Sequence, residues 1–205
     1  MMKNKKRDNK SISKFLCLIL RHNPQAIGAT LDENGWLPVR TLINGVNKHY
    51  HNYRALTPES LEEIVSSDTK NRYEMSSEEP AIRYRDGKIR ARQGHSLSNV
   101  DLELKPQTPP DVLYHGTVRK FIHSIFKNGL VKGTRQHVHL SADWETAKIV
   151  GSRRGQPVVL LLNAEEMHKD GVEFYLSTNG VWLTDRVDPK YIDQCETGGM
   201  HESNN

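Results

Sequence analysis

Two cysteines, Cys17 and Cys195, are all that the 205 residues contain. That is too few for a disulfide framework or a cysteine-rich metal site, and it points to a reducing, cytoplasmic setting. Long apolar runs are missing as well. The stretch Phe15-Leu16-Cys17-Leu18-Ile19-Leu20 follows a basic start, as in a signal peptide. It is too short, however, and Arg21-His22-Asn23-Pro24 stands where small residues should precede a cleavage site. No export signal is expected. Nothing approaches the ~18 apolar residues of a membrane span, so no membrane partner is expected either. The apolar fraction is 36% and the mean hydropathy −0.69, enough for one large domain or two small ones with modest cores.

Positive charge is what the chain does have. The net charge is +4 and the pI about 9.0. Lys3, Lys5, Lys6, Arg7, Lys10 and Lys14 open the chain against Asp8 alone. Such a segment either rests on phosphates or is solvated, and residues 1–10 are read as a disordered basic arm.

Ile12, Phe15, Leu16 and Ile19 recur at helical spacing, and Pro24 ends that helix. Val39, Leu42, Ile43 and Val46 form a second stripe, with Pro38 at the first helical position. Thr57-Pro58 starts a third helix that carries Leu61, Ile64 and Val65. After Arg72-Tyr73-Glu74-Met75, the runs 81–85 and 89–92 flank Asp86-Gly87, a hairpin signal. Three helices and a hairpin predict a winged-helix-like lobe over 11–103. Its hairpin would present Arg83, Arg85, Lys88, Arg90 and Arg92 either to nucleic acid or simply to solvent.

Residues 104–111 hold Lys-Pro-Gln-Thr-Pro-Pro and read as a stiff linker. Beyond it, strand and helix patterns alternate over 112–195. Strands are expected at 112–114, 137–140, 158–162, 172–175 and 181–183, and helices from about Arg119 to Asn128 and from Ser141 or Asp143 to Val150. The tail 196–205 is read as disordered. The fold class is therefore α+β, in two lobes.

Several polar clusters could carry chemistry. Tyr114-His115-Gly116-Thr117 ends a strand with groups suited to a ribose or carboxamide, although an ordinary turn has the same look. In Arg135-Gln136-His137-Val138-His139-Leu140-Ser141 the two histidines share a strand face. They fit a solvated strand, a metal site or a dinucleotide pocket, and no acidic or cysteine partners stand at a metal-binding spacing. Arg21-His22 at a helix C-terminus either complements the dipole or grips an oxyanion through the guanidinium fork. Ile89-Arg90-Ala91-Arg92-Gln93-Gly94-His95-Ser96 binds phosphate or merely turns.

In order, these segments resemble the RNA (tRNA) 2′-phosphotransferase family, the KptA-like enzymes. Gly35-Trp36-Leu37-Pro38-Val39, Gly155-Gln156-Pro157-Val158-Val159-Leu160 and 174–184, Phe174 to Thr184, extend the likeness, which runs from about Ser11 to Tyr191. The resemblance implies a winged-helix-like RNA lobe, an ADP-ribosyltransferase-like lobe and an active site in a cleft between them. It implies NAD⁺ as a consumed co-substrate and no metal. RNA bearing a 2′-phosphate would be the partner of a monomer that needs no other protein. The phosphate would be held by Arg21, His22, Arg72 and Arg135, with Arg153 or Arg154 a rival for the fourth place. His115, Gly116, Thr117, His139, Ser141 and Arg153 would line the NAD⁺ side. Val181 matches the position where classical ADP-ribosyltransferases keep a glutamate.

The reaction so implied has two steps. The RNA 2′-phosphate displaces nicotinamide to give an ADP-ribosylated RNA phosphate. The ribose 2″-hydroxyl then attacks phosphorus and releases 2′-OH RNA and ADP-ribose 1″,2″-cyclic phosphate. Such a site must bring two anions together, which arginines permit, and His22 is the candidate general acid. An ADP-ribosyltransferase with another acceptor and a binding module without turnover are the rival readings.

Overall fold

Ile12, Phe15, Leu16 and Ile19 lie along one side of α1 (Met2–Arg21), and all four are buried. The protein is described here by a computed structural model over residues 2–49, 55–77 and 79–195. The chain divides into two compact units, Met1–Glu103 and Leu104–Asn205. Its architecture is mixed α and β, with several small antiparallel sheets. No helix among the described residues is long and apolar enough to cross a membrane.

In the first unit, α1 is followed by a 3₁₀ turn at Pro24–Ile27, β1 (Leu37–Pro38), α2 (Val39–His49), α3 (Pro58–Ser66), β2 (Tyr73–Met75), α4 (Pro80–Arg85) and β3 (Lys88–Ala91). The helices bury Leu16, Ile19, Leu42, Leu61 and their neighbours in one core, closed by Tyr73, Ile89 and Ala91 from the sheet. The sheet runs β1-β3-β2, with Leu37 opposite Ile89 and Tyr73 opposite Ala91. Thr57 caps α3 reciprocally: its hydroxyl accepts from the Ser60 N–H at 3.2 Å, and the Ser60 hydroxyl accepts from the Thr57 N–H at 2.8 Å.

Three expectations change. The segment read as a disordered arm is helical from Met2; it has neither proline nor glycine to stop α1, and its lysines and arginine are good helix formers. Pro38 belongs to β1, opposite Lys88, and α2 starts one residue later. The hairpin around Asp86-Gly87 is not formed, because residues 81–85 are helical. Pro80 stands in the first turn of α4, the Arg83 N–H donates to the Glu79 carbonyl at 2.8 Å, and the helix folds Arg83 onto Glu62 of α3, Nη1 to Oε2 2.6 Å. Gly87 serves a close approach: a Cβ there would fall 2.4 Å from the Arg83 carbonyl oxygen.

The second unit contains β4 (Val112–Val118), α5 (Arg119–Asn128), β5 (Leu130–Val131), β6 (Val138–Leu140), α6 (Trp144–Ser152), β7 (Pro157–Asn163), α7 (Ala164–Lys169), β8 (Tyr175–Leu176), β9 (Trp182–Thr184), β10 (Arg186–Val187), a 3₁₀ turn at Pro189–Tyr191 and β11 (Ile192–Cys195). Its sheets are ordered β11-β7-β4, β6-β9-β8 and β10-β5. The apolar run of β7 reflects its central place between two antiparallel neighbours, with Val159, Leu160 and Leu162 buried. Asp143 caps α6 by accepting from the Thr146 N–H at 2.7 Å. The strand expected at 172–175 begins only at Tyr175, where pairing with Leu183 starts, and His137 lies just before β6 instead of on it. The segment read as a linker is bonded to this unit, through the Gln107 N–H to the Phe174 carbonyl at 2.8 Å. The tail 196–205 lies outside the described residues, as do residues 50–54.

Candidate functional site

Arg21 is the last residue of α1, and the chain leaves the helix through His22. The segment after β3 fixes both. The Ser96 N–H donates to the Arg21 carbonyl at 3.0 Å, and the Ser96 hydroxyl bonds His22 Nδ1 at 2.9 Å. The Arg21 guanidinium rests on Gly94, whose φ of +86° suits glycine and whose missing Cβ would sit 3.6 Å from the guanidinium carbon. Arg21 Nε and Nη2 are buried without a hydrogen-bond partner among the described residues. Burial pulls the Arg21 pKa below its usual value, and the Arg72 cation pushes the same way against Cys17, Tyr73 and Asp68. Positive charge is thus confined there with donors unspent, an arrangement that favours an oxyanion.

His95 is wholly buried, and neither ring nitrogen has a partner of normal hydrogen-bond geometry among the described residues. It packs by Gly35, where a Cβ would come within 3.1 Å of Nε2. Burial, then the charges of Arg21, His22 and Arg90, push its pKa down to about 4, partly offset by the Leu20 backbone. The ring is therefore neutral near pH 7.

Arg72 precedes β2 and is already paired. Its Nε meets the Asp68 carboxylate oxygens at 3.0 and 3.1 Å, its Nη2 meets Oδ1 at 2.7 Å, and Nη2 also donates to Ser13 Oγ at 2.9 Å. Burial lowers the Arg72 pKa, but the Asp68 hydrogen bonds together with the charges of Tyr73, Cys17 and Asp68 outweigh it, so the pKa is raised. This arginine lines a groove of about 690 Å³ together with Ser13, Lys14, Glu63, Asp68 and Lys70. The basic residues expected to face nucleic acid are occupied nearby. Arg83 pairs with Glu62, Lys88 with Asp32, Arg90 with Glu74 and Arg85 with Asp86, while Arg92 Nε donates to the Tyr73 carbonyl.

In the second unit, β4 carries His115, whose Nδ1 bonds the His139 carbonyl at 3.0 Å; His139 Nδ1 in turn bonds the His137 carbonyl at 3.0 Å. Both imidazoles are therefore held through Nδ1. Burial lowers the His115 pKa, opposed by the His139 backbone and reinforced by Arg154 and Arg135. Both of those arginines thus act on His115, and Arg153 is not among the groups that do. Arg135, Arg153 and Arg154 are exposed. Ser141 is tied to Tyr114 by a reciprocal backbone pair at 2.8 and 2.9 Å.

Gly116 and Thr117 do something the sequence did not suggest. A Cβ on Gly116 would lie 1.7 Å from the Ala147 carbonyl oxygen, and one on Gly151 would lie 2.8 Å from the Thr117 carbonyl oxygen. The backbone that approaches β4 here is that of α6, and Thr117 is buried. Val181 is half-buried before β9, bonded to Ser177. His137 packs at a tilt of 55° against Tyr175, 5.6 Å between centroids, and among the described residues no three His, Cys, Asp or Glu side chains are placed to share a metal ion.

The first unit therefore brings Arg21, His22 and Arg72 together, and the second brings His115 and His139 together with Arg135 and Arg154 in electrostatic reach. Sequence reasoning missed Asp68 and Ser13, the partners of Arg72. The only trace of Asp68 was an acidic residue four positions before an arginine.

Residues 6–186 match the family described as RNA 2′-phosphotransferase, Tpt1/KptA family. A protein of Acaryochloris marina is 49% identical over 188 residues, covering 91% of this chain and 97% of its own length. One of Flavobacterium johnsoniae is 51% identical over 184 residues, 90% of this chain and 95% of its own length. A third, of Rhodopirellula baltica, is 50% identical over 183 residues, 89% of this chain and 94% of its own length. All three carry the name "Probable RNA 2′-phosphotransferase".

Proposed function

The chain belongs to the RNA 2′-phosphotransferase, Tpt1/KptA family, and from that premise we propose that it removes the internal 2′-phosphate of splice-junction tRNA, with NAD⁺ as the consumed acceptor. In this reading the first unit is the winged-helix-like RNA lobe and the second the ADP-ribosyltransferase-like lobe. The observation that carries it is the Arg21–His22 pair, with buried guanidinium donors unspent and Arg72 close enough to act on their charge.

The RNA 2′-phosphate is mostly dianionic at neutral pH (second pKa ~6). It needs no base to attack the anomeric carbon of the nicotinamide ribose, and nicotinamide leaves neutral, so no acid is needed either. A half-buried Val181 in place of a carboxylate suits that step. What the residues supply is placement of one anion against another. Arg21 and Arg72 take the phosphate oxygens. His115 and His139, each anchored through Nδ1, offer polar ring edges to the dinucleotide's sugar and carboxamide. In the second step the 2″-hydroxyl attacks phosphorus and releases its proton to solvent, the bond to the RNA 2′-oxygen breaks, and that oxygen takes a proton from His22.

The test is turnover of an oligonucleotide with one internal 2′-phosphate. With NAD⁺, nicotinamide, 2′-OH RNA and ADP-ribose 1″,2″-cyclic phosphate are expected. A stable ADP-ribosyl mark on the RNA would assign a different transfer reaction, and no nicotinamide release would leave only binding.

A further inference from the structure

Ser96 makes two contacts that meet on adjacent residues. Its N–H holds the Arg21 carbonyl at 3.0 Å, and its hydroxyl bonds His22 Nδ1 at 2.9 Å. The first contact docks the end of α1 onto the segment after β3. The second holds the His22 ring to the protein through Nδ1.

We propose that Ser96 is a positioning residue for the second step: its hydroxyl accepts a hydrogen bond from His22 Nδ1–H and thereby makes Nε2 the nitrogen that carries the transferable proton. This rests on the reading of His22 as proton donor. The balance of the step is simple. The imidazolium holds protons on both nitrogens; the 2″-oxygen releases its proton to solvent as it bonds to phosphorus, and as the phosphorus–oxygen bond to RNA breaks, the leaving 2′-oxygen takes the Nε2 proton. The ring that remains is the neutral Nδ1–H tautomer, the form a hydroxyl oxygen at Nδ1 stabilises. An unfixed imidazole would divide its proton between both nitrogens and its orientation between several rotamers. Fixing both is the service an orienting carboxylate performs for other catalytic histidines.

Two neighbours keep the device undisturbed. Gly94, at φ +86°, lets the chain turn under the Arg21 guanidinium without a side chain in the way. His95 is wholly buried between Gly94 and Ser96, and its burial and the surrounding cations hold it neutral, so it adds no rival proton donor and no further positive charge.

The test combines ring-nitrogen NMR of the free full-length protein with single-turnover kinetics, on wild type, Ser96→Ala and Ser96→Thr. In wild type above the His22 pKa, the neutral ring is expected as the Nδ1–H tautomer, and Ser96→Ala should shift it toward Nε2–H. Nicotinamide release in Ser96→Ala should stay within about twofold. The cyclic-phosphate step should slow about 10–100-fold, the usual cost of losing an orienting partner, and ADP-ribosylated RNA should accumulate. Ser96→Thr, which keeps the hydroxyl, should restore both the tautomer and the second step. An unchanged tautomer in Ser96→Ala, an equal slowing of both steps, or a threonine variant no better than alanine overturns the proposal. A wild-type protein that transfers no 2′-phosphate overturns the functional reading instead, and the tautomer measurement then still decides the Ser96 contact.

Discussion

Arg72 faces Asp68 fork to fork, with its Nη2 2.7 Å from Oδ1 and its Nε 3.1 Å from Oδ2. The aspartate side chain is only 4% exposed and the arginine 22%. A guanidinium held this way has its direction fixed before any phosphate arrives, because its alternative rotamers would abandon a buried carboxylate. The carboxylate also neutralises much of the charge that a phosphate would use. Asp68 thus trades attraction for aim, while Arg21, whose Nε and Nη2 have no such partner among the described residues, keeps those donors unspent.

The Asp68→Asn substitution separates those two effects. It leaves one acceptor for the fork and removes the charge, so the first unit should lose about 2 kcal/mol, below the ~3–5 kcal/mol of breaking a fully buried pair. Urea denaturation measures this. Single-turnover rates should fall even though net positive charge at the site rises, because aim is lost. A faster second step in the variant would show that Asp68 is only a brake. Arg72→Lys should not rescue Arg72→Ala, since an ammonium cannot reproduce the two-pronged contact.

His95 gives the fold an acid limb. Its pKa is about 4 in the folded protein against an ordinary 6.5, so the unfolded chain takes up a proton that the folded chain refuses. Its contribution is complete above pH 6.5 and is lost as pH falls from 6.5 toward 4, by about 3 kcal/mol if the shift is fully expressed. His115 is shifted in the same direction by burial and adds to the trend. Denaturation midpoints measured across that window should decline, and His95→Gln should flatten the decline. A midpoint flat from pH 7 to pH 4 would contradict the buried neutral ring.

The helix periods of Ile12 to Ile19 and Val39 to Val46 were legible because burial repeats along each helix. The Thr57-Pro58 start was legible because the cap is local. Asp86-Gly87 misled because the dipeptide reads alike after a strand or a helix. What decides is Pro80 in the first turn and the Arg83–Glu62 pair, 21 residues apart. The short strands β5 and β10 carry no alternation to read, since each exists only as the other's partner, Val131 opposite Arg186. At the site, resemblance singled out Arg21, His22 and Arg72, but the partner of Arg72 depends on a turn. Asn71 sits at φ +45°, its N–H bonded to the Asp68 carbonyl at 2.8 Å, and this folds Arg72 back onto Asp68. Resemblance sets Gly116 on the NAD⁺ side, whereas a single chain cannot reveal that the backbone of α6 packs against it.

That last point is testable by Gly116→Ala. The added methyl would begin 1.7 Å from the Ala147 carbonyl oxygen, an approach that only displacement of α6 from β4 relieves. The expected cost is about 3 kcal/mol, at the upper end for overpacking, read as a lowered thermal midpoint with or without NAD⁺. Normal stability with weakened dinucleotide binding would instead return Gly116 to the ligand.

Arg135, Arg153 and Arg154 compete for one place in the proposed phosphate set, and His115 offers a way to rank them. Arg154 and Arg135 each depress the His115 pKa, whereas Arg153, at the C-cap of α6, does not contribute. Replacing Arg135 or Arg154 with alanine should therefore raise the His115 pKa toward 6.5, and Arg153→Ala should leave it alone; NMR titration of the ring reads all three. Of the two active arginines, the one that holds the phosphoryl group should also cost about 10²–10³ in the second step, as loss of one oxyanion donor does. The other should change dinucleotide affinity more than rate. If Arg153→Ala alone slowed the reaction, the electrostatic neighbourhood of His115 would be the wrong guide to where the phosphate lies.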